Sequence, residues 1–292
     1  MRSLQFFDHT FDRLFSEANK KRVEHATLWT SLFGFMVHLT LIYAKKFEWF
    51  NSPFEMGLLD DPISSLYTPF SIILVYEIYL LVVYLPRSFT TSVSKQFEII
   101  SLILIRRIFG DFPKIDLSMD WFASEANIQL IYDLIGVLLV YFLIYQFNKS
   151  WDQLPKKELS PRLKRFVAAK KGVSVFLLPV LIGTSLYSII NWLGQFTHPY
   201  SGAGLTDINA VFYNEFFTIL ILADVFILLL SFRYTERYSQ LIRNTGFIIC
   251  AILIRLSFAA SGLTNVVLIV SSVLFGLLIL KIYQAMEKPA SV

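Results

Sequence analysis

Phe70–Val83 reads FSIILVYEIYLLVV, and Phe217–Leu230 reads FTILILADVFILLL. The two stretches match in chemistry residue by residue, at an offset of 217 − 70 = 147. One acid interrupts each run, and the two acids are in register, Glu77 on Asp224. The following stretches repeat as well. IISLILIRRIF at Ile99–Phe109 matches IICAILIRLSF at Ile248–Phe258, at 248 − 99 = 149, and places Arg106 on Arg255. A duplicated apolar unit that keeps one acid and one arginine per copy points to a pseudo-symmetric membrane protein.

Composition agrees. Hydrophobic residues make up 55% of the 292 and charged residues 16%, against about a quarter charged in soluble domains. Mean hydropathy is +0.57. Apolar runs of roughly 20 residues, each long enough to cross about 30 Å of hydrocarbon, recur along the chain. Nothing is left for a soluble domain of useful size. The single cysteine, Cys250, excludes an internal disulfide framework and a cysteine-based metal site.

The expected fold is all-α and polytopic, with eight transmembrane helices: 27–44, 66–85, 96–110, 127–147, 173–194, 211–231, 245–260 and 264–284. The third and seventh are short, near 15 residues, which calls for membrane thinning or burial against neighbours. With the N-terminus inside, twenty Lys and Arg fall on inner segments and three, Lys45, Lys46 and Lys114, on outer ones. That is the positive-inside pattern of an inner or plasma membrane protein with both termini cytoplasmic. The outer loops are acidic instead: Asp60, Asp61, Asp111, Asp116, Asp120, Glu125 and Asp207.

Eight spans divide into a first four-helix repeat at 27–147 and a second at 173–284. A basic linker, 148–172, joins them, and a tail follows at 285–292. An even-numbered unit duplicated in tandem keeps its orientation, so the repeats are parallel. The second and third helices of each unit carry the sequence match; the first and fourth are matched by position. The linker's RLKRFVAAKK suits contact with anionic lipid. Residues 1–26 carry Leu4, Phe7, Phe11, Leu14 and Phe15 at helical spacing among charges. They read either as an amphipathic helix on the membrane face or as a short helix packed under the bundle.

An ionisable group at membrane depth is a functional candidate by default. The candidates are Glu77, Arg106, Asp224, Arg255, Glu98 and Asp133. At about 1.5 Å per residue, Glu77 lies roughly 16 Å below the outer end of its helix and Arg106 roughly 9 Å below that of the next. An arginine side chain spans much of that gap, so a Glu77–Arg106 pair is expected. Asp224 and Arg255 look further apart, with room for a water or third group between them. Lys95, Glu98, Leu102 and Arg106 share one helix face, and Asn244, Ile248, Ala251 and Arg255 form the counterpart. Both stripes are expected to face the interior or a water-filled crevice. Such groups serve either as an ion path and charge switch, or as buried pairs fixing helix register. The first copy is the more charged, with Glu98 against Phe247 and Arg107 against Leu256, and is the better candidate for activity.

Glu77 in the second helix, the Pro86-Arg87 turn and Glu98 in KQFEIISLI resemble the voltage-sensor-like four-helix fold over about residues 70–105. The resemblance implies a four-helix unit in tandem duplicate with acids as charge partners. Gating arginines are not implied: the fourth helix, IQLIYDLIGVLLVYFLIYQF, carries Asp133 and no arginine. No carbonyl filter sequence of the TVGYG type occurs.

The four histidines, His9, His25, His38 and His198, lack metal-ligand spacing. No Walker loop, GxSxG, HExxH or dinucleotide fingerprint is present. The reading is therefore neither an enzyme nor a nucleic-acid binder, and no cofactor is expected. The leading expectation is movement of ions, protons included, or small solutes. The alternative is a non-conducting sensor, scaffold or effector that binds a protein partner on its basic cytoplasmic face. A lipid-handling groove between the halves is a third reading, and a homo-oligomer stays open.

Overall fold

The computed structural model describes residues 2–48, 59, 62–112, 115, 121–154, 161–197, 208–234, 237–258, 260 and 262–287. The outer-loop acids Asp60, Asp61, Asp116, Asp120 and Asp207 lie outside them, as do residues 155–160 of the expected linker and 288–292 of the tail. The described chain is all-helical, without strands. Its elements are α1 (Arg2–Leu14), α2 (Glu17–Lys46), a 3₁₀ turn (Pro62–Leu66), α3 (Tyr67–Tyr84), α4 (Phe89–Asp111), α5 (Glu125–Asp152), α6 (Pro161–Thr197), α7 (Ile208–Phe232), α8 (Tyr238–Ser257) and α9 (Gly262–Glu287).

Six segments are long and apolar enough to cross a membrane: 6–46, 62–84, 125–152, 163–184, 238–257 and 262–287. α7 contributes a shorter apolar stretch, Phe216–Phe232. α4 does not qualify, because Lys95, Glu98, Arg106 and Arg107 interrupt it. It is nonetheless a continuous helix of 23 residues, and α8 has 20, both longer than the 15 expected from their apolar cores alone. For α4 the difference lies in its cap. Ser88 accepts from the Thr91 backbone N–H at 3.1 Å, so α4 starts seven residues before its apolar run.

α2 packs on α3, α3 on α4 and α4 on α5; α6 packs on α7, α7 on α8 and α8 on α9. The two series meet where α4 touches α8, α5 touches α9 and α3 touches α6. Glycines set how closely the helices approach. A Cβ added at Gly136 would meet Val266 Cγ1 at 2.5 Å, and one at Gly246 would meet Ile279 Cγ1 at 2.8 Å. Close backbone approach at small residues is the usual source of packing energy between helices in lipid. α2 lies at the edge, with Trp29 and Phe33 among its exposed side chains.

Much of the segment 148–172 is helical among the described residues. α5 runs on to Asp152, and α6 already begins at Pro161, so most of the basic run is the first turns of a 37-residue helix. Its lysines are not all free for lipid. Lys170 is buried, and Lys171 bridges Asp8 and Asp12 of α1 at 2.6 and 2.8 Å. α1 thus takes the packed alternative. Phe11 and Phe15 are buried, Phe11 lies beneath Lys171 and Phe15 meets Tyr79.

Pro86 explains another contact between the two series. In α3 the Val82 carbonyl has as its helical partner the N–H of residue 86, which proline lacks. Ser174 of α6 donates its hydroxyl to that carbonyl at 3.0 Å, and Ser174 itself is fully buried. One turn earlier, Lys170 donates to the Arg87 carbonyl at 2.6 Å. Ser174→Ala should cost about 1–3 kcal/mol, the penalty of a buried acceptor left unmade. Adding Pro86→Ala, which restores an N–H, should recover part of it in thermal unfolding. Equal midpoints for the single and double variants would remove the proline argument.

Candidate functional site

Asp224 of α7 and Arg255 of α8 form a direct ion pair, Oδ2 to Nη1 at 2.5 Å, with both side chains 2% exposed. The expectation that they stand apart is overturned. Depths counted from assumed span ends ignored the turn each side chain reaches along its helix. Arg255 retains a buried Nη2 that has no hydrogen-bond partner among the described residues.

The first copy differs. Glu77 is 4% exposed, yet its Oε2 has no hydrogen-bond partner among the described residues. Arg106, expected as its partner, donates instead to the Phe70 carbonyl at 2.9 Å and acts on Glu77 as a neighbouring cation. The expected hydrogen-bonded Glu77–Arg106 pair is thus replaced by a through-space one.

Asp133 and Glu98 find partners that sequence reasoning did not assign. Asp133 of α5, fully buried, is paired by the Arg107 guanidinium of α4 through both carboxylate oxygens. Gln129, one turn away, donates to it at 2.8 Å. The spacing of Gln129 and Asp133 on one face was the readable signal; Arg107 was weighed only as an asymmetry between copies. Glu98 accepts from Lys95 at 2.5 Å and from Asn148 of α5 at 3.4 Å.

The two polar stripes also diverge. Asn244, Ile248, Ala251 and Arg255 are all buried, as expected. Lys95 and Glu98 are each more than a third exposed, and Leu102, next along the stripe, is 49% exposed. The cause is the opposite face of α4, where Phe97, Ile100 and Leu104 take the interior positions. Phe97 is in register with Gly246; its ring lies against Gly276 of α9, whereas Gly246 lets Ile279 of α9 approach.

A further match between copies was missed. NIQLIYDLIGVLLVYFLIYQ at Asn127–Gln146 pairs with NVVLIVSSVLFGLLILKIYQ at Asn265–Gln284, at 265 − 127 = 138. Asn127 and Asn265 are both buried, and Asn265 donates to the Ser257 carbonyl at 2.5 Å. His38 is tied to Thr68 by a 2.6 Å hydrogen bond between α2 and α3. Among the described residues no group of three or more His, Cys, Asp or Glu is arranged to hold a metal ion.

The chemistry of the arrangement is a contrast between a closed acid and an open one. Asp224 is closed by the buried guanidinium of Arg255. Glu77 has no donor on Oε2 among the described residues. No protein-family model, curated protein or solved structure matches this chain.

Proposed function

We propose that the chain is an integral protein of the plasma or inner membrane that moves protons or small cations through its first repeat, with Glu77 as the coupling acid. In this reading all eight helices α2–α9 cross the bilayer as two parallel four-helix units, with both termini cytoplasmic. The sequence offsets of 147, 149 and 138, the like helix neighbours in each half and the inner surplus of Lys and Arg support that topology. The observation that carries the function is the Glu77 carboxylate, buried within an apolar helix with one oxygen unpartnered among the described residues. Intramembrane acids of this kind mark ion and proton paths. Arg106 is the gate element beside it. Asp224 with Arg255, and Asp133 with Arg107, fix helix positions.

The test is flux of protons and monovalent cations into proteoliposomes. Glu77→Gln should abolish it, and the matched Asp224→Asn/Arg255→Gln double variant should keep it. Full flux through Glu77→Gln, or none through the wild type under any gradient, would reject transport by this route.

A second reading has its own support. Lys164 and Arg165 on the first turns of α6 are exposed, beside the α1 clasp. A non-conducting subunit would use that basic surface to hold an acidic partner. A stoichiometric partner in mild detergent, lost on Lys164→Ala/Arg165→Ala, is its expected mark.

A further inference from the structure

α1 precedes the first repeat in sequence, yet it docks on α6, the first helix of the second. Lys171 of α6 donates to Asp8 and Asp12, one turn apart on α1, with its ammonium 5.4 Å from the centroid of Phe11. Phe7 faces Gly172, where an added Cβ would meet the Phe7 ring at 3.5 Å and the Phe7 Cβ at 3.8 Å. At its other end α1 turns into α2 at Ser16, which caps α2 by accepting from the Asn19 N–H at 3.3 Å. This corner is fixed to α3. Phe15 meets Tyr79, and Lys20 donates to the Tyr84 hydroxyl at 2.9 Å. Tyr79 and Tyr84 flank Val82, whose carbonyl Pro86 leaves without a helical donor and Ser174 of α6 supplies with one. α1 and its corner thus run from α3 to α6 at the one place where α3 leans on the second repeat for its own hydrogen bonding.

We infer that α1 is a salt-sensitive strap that latches the Pro86 end of α3 to the second repeat, and that its release lets α3 move against α6. The latch is weak by its own geometry. The Asp8 and Asp12 side chains are 51% and 62% exposed, and ion pairs so open to solvent contribute little and are screened by salt. Among the described side chains of α1 only Phe11 is buried, while Phe6 and Leu14 stay exposed. A helix packed for good would bury more of its apolar stripe. Glu77 lies two residues before Tyr79 on the same helix. On the reading of Glu77 as the coupling acid, on which this step rests, the latched strap is the restrained state and release raises flux.

The test uses the full chain in proteoliposomes, with two readouts on each form: amide hydrogen exchange over residues 79–85, which reports opening of α3 whatever the chain carries, and proton flux. Phe7→Cys/Gly172→Cys sets two Cβ atoms 3.8 Å apart, the usual disulfide spacing, and the native Cys250 is buried. A mild oxidant should lock the strap, and dithiothreitol should free it again. Lys171→Gln removes both ion pairs. Exchange should be fastest in Lys171→Gln, by roughly 2- to 30-fold over the wild type, the range for two exposed ion pairs lost, and slowest in the oxidised pair. In the wild type, where no substitution is needed, exchange should quicken with added sodium chloride; in the oxidised pair it should not. Flux should follow the same order. A cysteine pair that does not cross-link, or exchange indifferent to salt, to Lys171→Gln and to the lock, would overturn the strap. Exchange that responds while a measurable flux stays constant would overturn its control of transport. No flux in any form would reject the transport reading and the gating with it, and exchange alone would then decide the strap.

Discussion

Arg255→Gln should destabilise the protein by about 3–5 kcal/mol, because it strands the Asp224 carboxylate where both side chains are all but sealed from solvent. Asp224→Asn alone should cost a comparable amount, since the guanidinium then loses its only carboxylate. The double variant Asp224→Asn/Arg255→Gln removes both charges, so neither is left buried alone, and it should lie closer to the wild type than either single. Glu77→Gln is the internal control. The Glu77 Oε2 takes no hydrogen bond among the described residues, so replacing it breaks none, and the change should be small or even stabilising. Thermal unfolding in one detergent measures all four. A double variant no better than Arg255→Gln would mean that the pair is not an energetic unit. A Glu77→Gln cost as large as the Arg255→Gln cost would mean that the two copies are equivalent after all.

The second large effect is steric. A Cβ at Gly276 would lie 2.7 Å from Phe97 Cζ, 3.1 Å from Phe97 Cε2 and 3.2 Å from the Cys250 sulfur. The Phe97 ring cannot swing aside, because it is fully buried and braced edge-on by Phe147 at 5.2 Å. Gly276→Ala should therefore cost about 1–3 kcal/mol, the range for overpacking a close-packed interior. Gly183 meets nothing within 4 Å, so Gly183→Ala should be neutral or slightly stabilising through helix propensity. Phe97→Leu should rescue Gly276→Ala by vacating the contacted ring carbons. If Gly276→Ala and Gly183→Ala unfold at the same midpoint, the α4–α9 approach is looser than the geometry gives.

Helix positions were legible wherever a long apolar run exists, because such a run has one solution in a bilayer: a helix with its backbone bonds made internally. For this reason α9, expected at 264–284, spans Gly262–Glu287, and α5, expected at 127–147, spans Glu125–Asp152. Ends were less legible where charged residues extend a helix beyond its apolar part. α4 and the start of α6 show this, since a cap such as Ser88 or an ion pair such as Lys171 with Asp8 decides the end. The acids and arginines were all visible in the sequence, but their pairing was not. Periodicity gives the face on one helix, whereas pairing needs the relative rotation of two. Phe97 against Gly246 set that rotation differently in the two copies. The Asn127/Asn265 match escaped because the offset drops from 149 to 138 between the third and fourth helices of the unit. The connection from α4 to α5 is longer than that from α8 to α9, and a fixed-offset comparison slips at that point.

The clasp between α1 and α6 has a consequence for how the chain is made. Asp12 and Lys171 are 159 residues apart. At synthesis rates of about 5–20 residues per second, roughly 8 to 32 seconds separate the emergence of the two partners from the ribosome. During that interval the first helix has been made and its docking surface has not. It must wait at the membrane with its α6-facing side, Phe11 included, uncovered, a target for whatever chaperone attends nascent membrane chains. Ribosomes stalled after residue 150 should still hold it accessible to proteases, and ribosomes stalled after residue 230 should not.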